Sequence, residues 1–246
     1  LVQDVDYEVE YTRNTNAGIA TIIVNCKGNY TGTVTKTLEI TAKELNSDNV
    51  NLEYTTTEYD GTEKEPKVTV TDGEKVLVLG VDYEIEYIGN TNVGTATVTV
   101  TYKGNYTGVG TKLFEITVKE LNSDNINLEY STTSYDGTTK EPKVIITDGE
   151  RVLVQGVDYE VLYMENRNVG TATVTVTYKG NYTGVGTKTF EITAKELNSN
   201  NVNLEYTTIE YDGTAKEPKV TVTDGEKVLV QDVDYEVEYT RNTNAG

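Results

Sequence analysis

The string LVQDVDYEVEYTRNTNAG begins at residue 1 and returns letter for letter at residue 229. Between those two places Leu1 of LVQDVDYE recurs as Leu77 in LVLGVDYE and Leu153 in LVQGVDYE, an even spacing of 77 − 1 = 76 without insertion. A fixed period constrains the fold more than composition does, because every unit must solve the same packing problem. A 76-residue unit is longer than a solenoid rung and suits a small independent domain. The expected organisation is the C-terminal part of a unit at 1–48, complete units at 49–124 and 125–200, and the N-terminal part of a unit at 201–246.

Within 49–124, apolar and polar residues alternate with the period of a half-buried strand. Val50, Leu52 and Tyr54 form one stripe. Val68 and Val70 lead into Asp72-Gly73, read as a two-residue hairpin turn, and Val76 and Val78 lead out of it. Val81, Tyr83, Ile85 and Tyr87 continue the pattern, followed by Ala96, Val98, Val100 and Tyr102, then Phe114, Ile116 and Val118. That makes about six strands per unit. Pro66, Pro142 and Pro218 each stand just before a strand, where a missing N–H does least harm. The predicted fold class is all-β, a tandem array of small β-sandwich domains, one to each period.

Composition narrows function by exclusion. A formal charge of −19 repels phosphate backbones and anionic lipid, so no nucleic acid is expected as a partner. No apolar run is long enough to span a bilayer, so no membrane insertion is expected. Leu1 is not preceded by Met and begins no signal-peptide pattern, so the chain reads as a section of something longer. The single cysteine, Cys26, forms no internal disulfide, and the absence of histidine removes the commonest general base and transition-metal ligand. No enzyme is expected and no catalytic residue is assigned. Asp4 becomes Gly80 and Gly156, while Asp6 recurs as Asp82 and Asp158, which is how a structural carboxylate behaves in a repeat.

The motifs YDGTEKEPKVTVTDG, GVDYEIEY, NTNVGTATVTVTYKGNYTG and TKLFEIT together resemble the Ig-like tandem repeats of Gram-positive bacterial surface proteins, including the MBG-type adhesin repeats. The resemblance covers the whole chain. It implies Ig-like domains in an extracellular stalk or surface filament. The competing implication is a multivalent adhesin module whose units each bind a host protein or glycan and gain by avidity. Exposed positions vary between copies, as at Glu63, Thr139 and Ala215, or Leu79, Gln155 and Gln231, which favours a spacer.

The matching ends share idiosyncrasies. Thr12, Arg13 and Ala17 equal Thr240, Arg241 and Ala245, where the middle copies carry Ile88, Gly89, Val93 and Met164, Glu165, Val169. This pattern predicts a super-repeat of three periods, from Leu1 to Leu229, and a continuation beyond Gly246 close to IATIIVNCKGNYTG. The partner is then self, head to tail into a longer filament. The alternative continuity is strand addition between molecules, the ends of one chain completing the next.

Three sets of residues are candidate sites. KELNSDNVN between units offers Asp48, Asn49, Asp124 and Asn125 as oxygen ligands for Ca²⁺, with Asn200 replacing the carboxylate at the third boundary; the competing reading is a solvated turn. NYT at Asn29, Asn105 and Asn181 fits a glycosylation acceptor, and a turn explains the same letters. Thr95, Thr97, Thr99 and Thr101 form a row opposite the apolar stripe, which ordinary strand chemistry also produces.

Overall fold

A computed structural model describes residues 1–244; Ala245 and Gly246, the last letters of the recurring string, lie outside the described residues. The described chain is all-β, with single-turn 3₁₀ helices at Ser47–Asn49, Ser123–Asn125 and Ser199–Asn201. Residues 1–48 hold β1 (Tyr7–Thr12), β2 (Gly18–Cys26), β3 (Thr33–Ile40) and β4 (Lys43–Glu44). Residues 49–124 hold β5 (Val50–Leu52), β6 (Thr56–Glu58), β7 (Val68–Asp72), β8 (Lys75–Val76), β9 (Tyr83–Ile88), β10 (Gly94–Tyr102), β11 (Tyr106–Thr107), β12 (Val109–Thr117) and β13 (Lys119–Glu120). The same pattern returns as β14 (Ile126–Leu128), β15 (Thr132–Ser134), β16 (Val144–Asp148), β17 (Arg151–Val152), β18 (Tyr159–Met164), β19 (Gly170–Tyr178), β20 (Tyr182–Thr183) and β21 (Val185–Thr193). Residues 201–244 add β22 (Val202–Leu204), β23 (Val220–Asp224) and β24 (Lys227–Val228).

The chain divides into two compact units. The first comprises Leu1–Asn127, Val144–Leu162 and Thr175–Lys188, and the second comprises Leu128–Lys143, Tyr163–Val174 and the residues from Thr189 on.

In the first unit, residues 49–124 build two sheets. One has the order β5–β7–β8, the other β6–β12–β10–β9. All strand pairings in them are antiparallel except β6 with β12, where Thr56–Glu58 lie parallel to residues 115–117. Val98, Val100 and Ile116 are fully buried, and each contributes roughly 1.5–3 kcal/mol by leaving water. Val50, Val70 and Tyr83 are buried with them. Tyr54 meets Phe114 edge-on at 6.1 Å, and the Tyr87 hydroxyl donates to the Pro66 carbonyl at 2.8 Å.

Counting the short pieces, the complete repeat has nine strands, β5 to β13, where about six were expected. The excess comes from two-residue strands and from division of the first stripe into β5 and β6. The hairpin turn is shifted by one residue as well. Asp72 pairs with Lys75, so the loop is Gly73-Glu74, with Gly73 at φ +61 as a type II′ turn requires. A one-residue shift exchanges the faces of the outgoing strand. Leu77 is therefore buried and its amide donates to Val70, while Val76 and Val78 are exposed, the reverse of the expected phase. Val81 is also exposed, in the turn before β9, where the Val78 amide donates to the buried Asp82 carboxylate at 2.9 Å.

Residues 1–48, in the same unit, form the sheet β1–β2–β3, counterpart of β9–β10–β12. In the second unit, β22, β23 and β24 form an antiparallel sheet with Val202 opposite Val222. Val174, Phe190 and Ile192 are buried there, and Tyr130 meets Phe190 edge-on at 5.8 Å.

Candidate functional site at the boundaries between repeats

The short strands that the period-2 reading did not anticipate build the boundary between 49–124 and 125–200, all within the first unit. Lys119–Glu120 (β13) lies parallel to Tyr182–Thr183 (β20) in the next repeat. The Lys119 amide donates to Asn181 O at 3.1 Å and the Leu121 amide to Thr183 O at 2.9 Å. The Asn181 side chain closes the other side: its Oδ1 accepts from the Val93 amide at 2.9 Å and its Nδ2 donates to Asn92 Oδ1 at 3.1 Å. Gly184 completes the motif. It has φ +111, and a Cβ there would collide with Leu121 O, so only glycine permits this approach.

Charge and aromatic contacts cover this backbone clamp. Lys119 Nζ pairs with Asp148 at 2.6 Å. Tyr59 and Tyr182, one from each repeat, meet edge-on at 5.4 Å, and the Arg151 guanidinium lies 5.6 Å from the first ring centroid and 6.0 Å from the second. Arg151 also donates to the Tyr59 hydroxyl. Burial pushes the Tyr182 phenol up to about 12, although the Arg151 charge works against the shift.

The boundary before residue 49 repeats the arrangement. Asn105 Oδ1 accepts from the Ala17 amide at 2.7 Å, and its Nδ2 donates to Asn16 Oδ1 at 3.0 Å. Lys43–Glu44 (β4) lies parallel to Tyr106–Thr107 (β11), and Lys43 Nζ pairs with Asp72 at 2.5 Å. Lys75 replaces arginine, its Nζ 5.2 Å from the Tyr106 ring centroid. In the second unit the corresponding place is an open cleft of about 390 Å³, lined by Tyr135, Val169, Lys195 and Leu197 among others, with Lys195 paired to Asp224.

The calcium candidates fall in the 3₁₀ turns. Asn46 caps the first turn by accepting from the Asp48 amide at 2.8 Å. Asn49 Oδ1 accepts from the Asn46 amide at 3.0 Å, and Asn49 Nδ2 donates to Thr71 O at 2.9 Å. Asn125 makes the same pair with the Asn122 amide and Thr147 O. The two asparagines thus brace their own repeats, while Asp48 and Asp124 are exposed. Among the described residues no group of three or more His, Cys, Asp or Glu side chains gathers as a metal site.

Of the three NYT asparagines, Asn105 and Asn181 are the clamps and Asn29 is exposed. Thr95 and Thr101 are exposed and Thr97 and Thr99 half-buried on the central strand β10. The expected core tyrosines divide, Tyr83 and Tyr102 being buried and Tyr54 and Tyr87 half-buried. Cys26 is half-buried. The residues missed by the sequence reading are Tyr59, Arg151, Tyr182 and Leu121. Their signal lay in KEL and NYTG recurring together at every boundary, more constancy than a solvated turn needs.

Among the described residues no helix is long and apolar enough to cross a membrane, which says nothing of strands. No protein-family model matches the chain, and no curated protein matches it.

Proposed function

We propose that the chain is part of a structural, extracellular, repetitive stalk or surface filament made of tandem Ig-like domains. The boundary carries this reading: the same asparagine clamp and parallel strand pair recur one period apart, at Asn105 and Asn181. Such a boundary transmits position and load from one unit to the next without any chemistry. Variation supports the same reading, since Leu79, Gln155 and Gln231 occupy one exposed position with different side chains. A surface kept for a host protein or glycan would hold that position constant.

The test is immunoelectron microscopy of intact source cells with antibody raised against the 246-residue chain, with and without a calcium chelator. Label on structures projecting from the cell surface is expected. Label confined to the cell interior contradicts the reading, and loss of straightness under the chelator is the outcome that calcium at Asp48 and Asp124 requires.

A further inference from the structure

We propose that two copies of this chain associate head to tail, residues 1–48 of one covering residues 201–228 of the other and rebuilding the repeat that 49–124 shows whole. The inference rests on the geometry of the repeat and stands apart from the stalk reading.

Each segment exposes the surface that the other would cover. On β3, Leu38 is 54% exposed, whereas Phe114, its counterpart in the complete repeat, is 2% exposed. Val202 is 42% exposed where Val50 is 1%, and Tyr211 is 62% exposed where Tyr59 is 2%. The backbone is matched too. Residues 115–117 pair in parallel with Thr56–Glu58, but among the described residues their counterparts 39–41 have no such partner and 208–210 form no strand. Docking places Glu39 opposite Thr208.

The boundary contacts are matched in the same way. Asn29 and Tyr30 are exposed in one segment. In the other, among the described residues, the amides of Val169, Lys195 and Leu197 lack the partners that Val93, Lys119 and Leu121 find in Asn181 and Thr183. Gly32 has φ +118 with nothing within 4 Å of its absent Cβ, while Gly108 and Gly184 each need that room for an upstream leucine carbonyl. In the docked pair Gly32 meets Leu197, and Tyr30 faces Tyr135 beside Lys227.

Two positions of the docking face differ from the complete repeat, and they compensate. Tyr102 Oη donates to Asn46 O at 2.8 Å, and a Cβ on Gly110 would stand 2.9 Å from that same oxygen. Residues 1–48 carry Cys26 and Val34 at these places, so the smaller side chain returns space that the larger one takes.

The overlap supplies a route. Residues 229–246 and 1–18 are identical, so exchanging one for the other changes no side chain. The net gain comes from residues 19–48, which have no counterpart in the receiving segment. A longer polypeptide would make these contacts within one chain, and the complementarity is the same.

The experiment is sedimentation of the 246-residue polypeptide over a wide concentration range. Expected is a weight-average mass that rises reversibly above 27.2 kDa. Asn29→Asp, at an exposed position, sets a carboxylate against Asn168 Oδ1 and weakens association by about tenfold or more; Ile40→Lys weakens it further. In a Cys26→Ser background, Glu39→Cys with Thr208→Cys yields an intermolecular disulfide ladder on mild oxidation. A monomer at every concentration overturns the docking and leaves the stalk reading standing. Association that ignores both variants, or the absence of the ladder, overturns it as well.

Discussion

At the scale of the residue, the differences between copies are the most informative. Tyr102 and Gly110 converge on Asn46 O, while the first copy substitutes Cys26 and Val34 together. Gly110→Val alone is expected to destabilise the chain by about 1–3 kcal/mol through overpacking. Combined with Tyr102→Cys it should cost less than the sum of the single changes, a coupling of about 0.5–3 kcal/mol that a double-mutant cycle in urea would measure. Tyrosine ionisation gives a second test. Burial pushes Tyr178 and Tyr182 from the ordinary 10.0 up to about 12. A raised folded value favours the neutral phenol, so this stabilisation is complete below pH 10 and disappears as pH rises towards 12. Absorbance titration should show these tyrosines ionising late, together with loss of the β circular-dichroism signal. The Gly-to-Asp exchange at Asp4 was legible as structural, since Asp4 has φ +66 where Gly80 has φ +81.

At the scale of the element, alternation identified the long strands and failed on the short ones. β10 could be read from ATVTV because β-branched residues at every second position suit a pleated, half-buried surface. β11 and β13 have two residues each and no period to detect. They exist because a neighbouring repeat supplies their partner strand. The YDGT turn was legible from its residue types, but its lysine was not. Asp60 Oδ1 accepts from the Thr62 amide at 2.9 Å and from its hydroxyl at 2.6 Å, and Lys64 pairs with the same carboxylate. The lysine hydrogen bond first, then Thr62, hold Asp60 well below the ordinary 3.8, and Asp136 and Asp212 behave alike. A lowered folded value stabilises the fold above pH 3.8 and loses effect as pH falls through it. Urea midpoints should therefore drop on acidification, and Asp60→Asn, Asp136→Asn and Asp212→Asn together should flatten that drop. An unchanged acid response in the triple variant would remove the turns from the account.

At the scale of the whole molecule, the sequence showed the period and the all-β class, but it left the boundaries as turns. Beads joined by linkers and repeats joined by built strands have the same 76-residue period. What separates them is a partner far along the chain: Lys119 bonds to Asn181, in an NYTG that reads locally as a turn. The central claim is that the boundary is structure and not linker. The most direct measurement is hydrogen exchange at the amides of Lys119 and Leu121, compared with Val98 and Val100. The account predicts protection at both boundary amides, falling about tenfold in Asn181→Ala while the core valines are unchanged. Exchange at Lys119 and Leu121 as fast as in an exposed loop, with or without Asn181, would contradict it.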